Sequence, residues 1–146
     1  LEKIKSYLDY GAFTPIQVAA ASALSSDPAT IEKVRGVYRK RRDVLVDAMG
    51  KAGWNISSPE ATMFAWAQIP EKFKSLGSLE FSKVLLKEAD ISVAPGIGFG
   101  EYGENFVRIG LVENEHRIRQ AARNIKSIFN KADKILSGYS PNQIGV

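Results

Sequence analysis

An arginine set beside a glycine-rich loop is the constellation with the most chemical content in this sequence. Residues 91–112 read ISVAPGIGFGEYGENFVRIGLV. A short apolar run with Ile91 and Val93 meets Pro95, glycines follow at Gly96, Gly98, Gly100 and Gly103, and the chain returns as Phe106-Val107-Arg108-Ile109. Glycine lets backbone come close to a ligand or to another chain. A guanidinium in an otherwise apolar strand can hold a carboxylate through two parallel, charge-assisted hydrogen bonds. The spacing alone leaves two outcomes open: an anion site, or a hairpin whose Arg108 faces solvent.

Other groups offer less. The glycines of 96–103 match neither a dinucleotide-binding fingerprint nor a phosphate loop, which a Lys-Ser or Lys-Thr pair should close. His116 falls in the first turn of a predicted helix with no partner nearby in sequence, so a plain surface histidine is expected. Glu113, Asn114 and Glu115 suit capping and the helix dipole. The basic run Tyr38-Arg39-Lys40-Arg41-Arg42 lies inside a predicted amphipathic helix, where such runs form a solvated face. Without aromatic residues interleaved on that face, nucleic acid is not an expected partner. Trp54 and Trp66 are expected as core or interface aromatics.

The totals set bounds. The chain has 146 residues and a net charge of +4, from 20 Lys and Arg against 16 Asp and Glu, which permits an anionic ligand without demanding nucleic acid. With no cysteine and one histidine, disulfides, thiolate zinc sites, cysteine nucleophiles and histidine-rich metal centres drop out. No apolar run approaches the roughly 18 residues of a membrane span, and no signal pattern opens the chain, so a cytoplasmic setting without membrane contact is expected. The opening LEKIKSYLDYG reads as the end of a helix already under way, as in a piece of a longer protein.

The elements that must position Arg108 follow from periodicity. Apolar residues at Leu1, Ile4 and Leu8 suggest a short helix, broken by Asp9-Tyr10-Gly11, and residues 16–24 an alanine-rich one. Asp27 as N-cap and Pro28 at the first helical position open a long helix, with Ile31, Val34, Val37, Tyr38, Val44, Leu45 and Ala48 in register, stopping at Gly50. Residues 53–58 and 62–69 read as an antiparallel strand pair around Pro59-Glu60-Ala61, with Phe64 and Trp66 on one face and Pro70 as terminator. Ser78 caps a helix over 78–89 whose Phe81, Val84, Leu85 and Ala89 point inward. After the glycine-punctuated hairpin, Asn114 or Glu113 starts a last helix with Ile118, Ala122, Ile125, Phe129, Ala132 and Ile135 in one stripe. Residues from 137 onward read as a mobile tail. The order predicts a two-layer α+β domain, helices packed on one face of a small, largely antiparallel sheet.

Several stretches together carry a resemblance. Val93-Ala94-Pro95-Gly96, Phe99-Gly100 and Phe106-Val107-Arg108-Ile109 resemble the C-terminal, small domain of fold-type I pyridoxal-phosphate aminotransferases, in which the second strand carries an arginine that grips the substrate's α-carboxylate. Phe13-Thr14-Pro15-Ile16-Gln17-Val18-Ala19-Ala20, Arg41-Arg42-Asp43, Met63-Phe64-Ala65-Trp66 with Ile69-Pro70, and Glu113-Asn114-Glu115-His116-Arg117-Ile118 follow in that family's order. The resemblance covers about residues 4–129 and is closest to the alanine (glutamate–pyruvate) subgroup, beside aspartate and diaminopimelate relatives. A departure is Asn105, where a glycine is commoner.

The resemblance implies amino-group transfer between an α-amino acid, alanine or glutamate, and a 2-oxo acid, with pyridoxal 5'-phosphate as cofactor. It implies Arg108 as the α-carboxylate clamp. The loop of residues 9–14, with Tyr10, Gly11 and Phe13, resembles a segment that crosses a homodimer interface and helps line the neighbouring subunit's active site, and a helix-to-helix turn packed at an interface is the competing expectation. Residues 1–14 would end a large-domain segment, 15–136 form the small domain and 137–146 the tail. The Schiff-base lysine, the ring-stacking aromatic and the main phosphate ligands belong to the large domain. Lys3 and Lys5 lack the family's Ser-Lys context. The fragment alone is therefore expected to be inactive, with no catalytic or cofactor-binding residue of its own. The alternative is a stand-alone, non-catalytic module of this fold that binds a carboxylate or a protein.

Overall fold

The computed structural model describes residues 1–9 and 11–139. Two compact units divide the chain, Leu1–Gly36 and Val37–Val146. The first holds α1 (Glu2–Asp9), α2 (Thr14–Leu24) and the start of α3 (Pro28–Ala52). Asp27 is the expected cap: its Oδ1 accepts from the Ala29 N–H at 2.9 Å. α2 buries none of its residues.

In the second unit α3 continues past the predicted stop at Gly50 to Ala52. Gly53, at φ +92°, ends it. The Gly53 and Trp54 N–H groups bond back to the Gly50 and Met49 carbonyls, the paired closure that a left-handed glycine permits at a helix end.

The sheet has three strands, β1 (Phe64–Gln68), β2 (Ala94–Pro95) and β3 (Phe106–Gly110), in the order β1-β3-β2. Both pairings are antiparallel, with Trp66 opposite Arg108 and Ala94 opposite Arg108 on its other side. The expected hairpin of β2 and β3 is present. The expected pairing of 53–58 with 62–69 is not, and 53–58 forms no strand. Its alternation is nevertheless real: Trp54 and Ile56 are buried and their neighbours exposed. Alternation reports a half-buried extended segment, whether or not a ladder partner exists. Here the indole Nε1 of Trp54 donates to the Gln68 carbonyl at 2.8 Å, and β1 pairs with β3 instead.

One face of the sheet carries Ala65, Ala67 and Val107, all fully buried. Behind it lie α4 (Gly77–Ala89), α5 (Glu115–Asn130) and α6 (Ala132–Gly138). The core between them is aromatic: Trp54 meets Phe81 edge-on at 5.7 Å, and Phe73 meets Phe81 and Phe129 at 5.5 and 5.4 Å. Phe73 comes from a 3-10 turn, Glu71–Leu76, that Pro70 introduces. The layers are thus those of an α+β sandwich. Asn114 caps α5, its side chain accepting from the His116 and Arg117 N–H groups at 3.1 and 3.0 Å. The predicted continuous last helix breaks at Lys131, whose φ and ψ of −110° and 15° are non-helical, so Ala132 and Ile135 belong to α6. α6 also takes in Ser137 and Gly138; residues 140–146 of the expected tail lie outside the described residues.

Candidate functional site

Strand parity decides where Arg108 goes. Val107 is buried in the core, so Arg108 stands on the opposite, open face of the sheet, with Phe106 and Gly110. The β1 partners on that face are Phe64, Trp66 and Gln68. Arg108 is half-buried there, yet no ion pair among the described residues involves it. Two rings take that place. Its guanidinium carbon lies 4.2 Å from the Phe64 ring centroid and 4.4 Å from that of Phe99. Contacts of this kind favour a cation through the negative face of the ring. Trp66 completes the wall, edge-on to Phe99 at 5.5 Å and stacked on Phe106 at 5.8 Å.

Phe99 reaches Arg108 because its loop is pinned. Gly96–Phe99 forms a 3-10 turn directly after β2. The Ile97 N–H donates to the Ser78 hydroxyl at 3.0 Å, and that hydroxyl donates to Glu104 Oε2 at 2.8 Å. Glu104 Oε1 also accepts from the Ser78 N–H at 3.1 Å. Ser78 was expected as the cap of α4. It instead sits fully buried in the first turn, and the carboxylate of Glu104 does the capping from across the loop. A negative group at a helix N-terminus is favoured by the exposed N–H groups and the dipole.

The glycines have a structural use. A Cβ on Gly96 would collide with the Gly103 carbonyl oxygen, and one on Gly103 with the Gly96 carbonyl. The close approach that glycine permits is thus between two halves of the loop.

Gly11 (φ +98°) and the exposed Phe13 belong to the Leu1–Gly36 unit, and Tyr10 lies outside the described residues. The basic run is more than a solvated face. Arg41 donates to the Leu111 carbonyl at 3.0 Å with its guanidinium 5.6 Å from the Tyr38 ring, and Arg42 pairs with Asp43 at 2.7 Å. His116 is exposed. A separate cleft of about 590 Å³ opens on the core side of β3, lined by Trp54, Ile91, Val93, Ile109, Ile118 and Asn124 among others. Among the described residues no group of three or more His, Cys, Asp or Glu could hold a metal ion, and no helix is long and apolar enough to cross a membrane.

Phe64, Phe99, Ser78 and Glu104 were not singled out as site residues from the sequence. The signal for Phe64 was present in its parity with Trp66. Phe99 stood in the Phe99-Gly100 turn that carries part of the resemblance, but its contact with Arg108 and the Ser78–Glu104 pair left no local signal, because those contacts cross the loop.

Comparison with known proteins finds relatives that cover most of this chain. A putative aminotransferase, AatC, of Rhizobium meliloti is 64% identical over 136 residues, covering 93% of this chain and 34% of that protein. The glutamate–pyruvate aminotransferase AlaC of Escherichia coli is 52% identical over 140 residues, covering 96% of this chain and 34% of that protein. The crystal structure of an aromatic aminotransferase from Pyrococcus horikoshii superposes with a TM-score of 0.79 at 28% identity, covering 90% of this chain and 35% of that one. The chain thus spans about a third of the length of these relatives. With the model for aminotransferase class I and II matching residues 2–125, the chain belongs to that family.

Proposed function

We propose that this chain is the substrate-carboxylate-binding part of a transaminase that moves an amino group between an α-amino acid, alanine or glutamate, and a 2-oxo acid. The observation that carries the proposal is the half-buried Arg108 guanidinium, free of any ion pair among the described residues, on the open face of the sheet. A planar fork so placed suits the carboxylate common to both substrates. The choice of alanine and glutamate draws on the likeness to the glutamate–pyruvate aminotransferase of E. coli.

Aminotransferases of this class depend on pyridoxal 5'-phosphate, which serves as the electron sink for the bond broken at the substrate's Cα. The chain's own residues do not fit that group. A Schiff base needs a lysine, and the open face presents Phe64, Trp66, Gln68, Ala94, Phe106, Arg108 and Gly110, none of them lysine. In this proposal residues 15–136 form the small domain and 1–14 the end of a large-domain segment, with Tyr10, Gly11 and Phe13 the candidates of a loop that crosses a homodimer interface and helps line the neighbouring subunit's site. The 146-residue chain alone is then inactive, and the complete cytoplasmic enzyme supplies the rest. What Arg108 contributes is orientation: fixing the carboxylate fixes which Cα bond stands against the reacting plane.

The test uses the native polypeptide that contains this chain. Its mass should lie well above 16.0 kDa, and it should transaminate alanine with a 2-oxo acid. Arg108→Lys keeps the charge and loses the fork, so KM for both substrates should rise roughly tenfold to a hundredfold, the loss of one charge-assisted bond of the pair. Unchanged KM values would overturn the role of Arg108.

A further inference from the structure

A half-buried arginine is ordinarily satisfied by a carboxylate or by backbone carbonyls. Arg108 makes no hydrogen bond to protein among the described residues, and its charge is accommodated by the faces of Phe64 and Phe99, 4.2 and 4.4 Å away. A ring that lies flat on a guanidinium leaves the in-plane N–H donors available, and those of Arg108 have no partner among the described residues. Such a ring also removes water from the face it covers, which raises the attraction for an anion arriving in the plane.

We infer that Phe64 and Phe99 are positioning residues for Arg108, fixing the direction of its fork so that the substrate's carboxylate is met edge-on from the open face of the sheet. The inference rests on the proposed role of Arg108 as the carboxylate clamp. The two rings come from independent supports. Phe64 is on β1, in ladder register with Gly110, one step along the same face from the Trp66–Arg108 pair. Phe99 is held from behind by the edge of Trp66 at 5.5 Å, and from below by the Ile97 N–H bond to Ser78, which Glu104 orients. Neither ring is needed for the core: Phe64 is 36% exposed and Phe99 51%. Both rings lie outside the buried core and within 4.4 Å of a cation that has no counter-ion among the described residues.

The experiment uses the full-length native enzyme and compares Phe99→Leu, Phe64→Leu and Phe99→Tyr, each alone, and Phe99→Leu again in an Arg108→Lys background. The readouts are the dissociation constant for propionate, an unreactive monocarboxylate, by calorimetry, and KM against kcat. Leucine keeps apolar bulk and removes the ring face. Either leucine variant should weaken propionate and raise KM by about threefold to tenfold, with kcat changed less. Phe99→Tyr should restore the native values. In the Arg108→Lys background Phe99→Leu should add less than twofold, because the ring acts through the guanidinium.

Should Arg108→Lys weaken propionate while both leucine variants leave it within twofold, the positioning role is wrong and the clamp stands. Should Arg108→Lys also leave it unchanged, the clamp itself falls and this inference with it. An effect of Phe99→Leu that is as large without Arg108 as with it would mean that the ring touches the ligand or supports the fold directly, which also overturns the inference. If Phe99→Leu does not fold, Phe64→Leu carries the same comparison.

Discussion

Gly96 and Gly103 show how much a loop can depend on the absence of a side chain. Each faces the other's carbonyl, and a Cβ on Gly96 would also lie 2.5 Å from the Phe106 carbonyl oxygen. The obstacle is backbone, which cannot swing aside as a side-chain tip can. Gly96→Ala should therefore act as overpacking does, costing about 1–3 kcal/mol or more. Urea denaturation of the variant would show the midpoint fall. An unchanged midpoint would mean that the loop yields at no cost. Gly98, whose Cβ would meet nothing within 4 Å, is the internal control, and Gly98→Ala should be close to neutral.

At the scale of elements, ends matter more than middles. α5 begins at a single side chain, Asn114, which satisfies the His116 and Arg117 N–H groups. Asn114→Ala should cost about 1 kcal/mol, and Asn114→Asp should keep nearly all of the stability. The comparison of their denaturation midpoints checks this, equal values for alanine and aspartate being the contrary outcome. α4 has the opposite arrangement, with no local cap and a carboxylate brought from Glu104. Local caps are legible in sequence because donor and acceptor are two or three residues apart. The Glu104 cap, 26 residues from Ser78, is not.

For the whole molecule the exposed apolar residues are the telling feature. Leu8, Phe13, Ile16, Val18, Leu24 and Ile31 are between 56% and 90% exposed, and all lie in the Leu1–Gly36 unit. Contiguous patches of such residues mark surfaces that another protein surface covers. The 146-residue chain on its own should associate in a concentration-dependent way, which sedimentation velocity over a hundredfold range of concentration would show. A monomer throughout that range would contradict the expectation and favour a self-sufficient module. The long helix α3 illustrates the same point from within. Its apolar period runs from Ile31 to Ala48, yet Ile31, Val34 and Val37 are exposed and Leu45 and Met49 are buried. Periodicity says which residues share a face, and only the packed molecule says whether that face is covered.

Much of the architecture was determined by the sequence acting locally. The α3 start at Asp27-Pro28, the α5 cap at Asn114, the β2–β3 hairpin and the α+β class each follow from residues near one another in the chain. Arg108 is also legible in the sequence, because one charged residue in an apolar strand is visible without any structure. Tertiary structure decided the rest. It paired β1 with β3 rather than with residues 53–58, since period-2 alternation fixes a face and not a partner. It turned the loop glycines toward each other, and it split the last helix at Lys131. Above all it set Phe64 and Phe99 beside Arg108. Those contacts join a strand, a turn and a second strand, and no local pattern records them. The energy that selects them comes from burying the other side of the sheet, which leaves this side its particular neighbours.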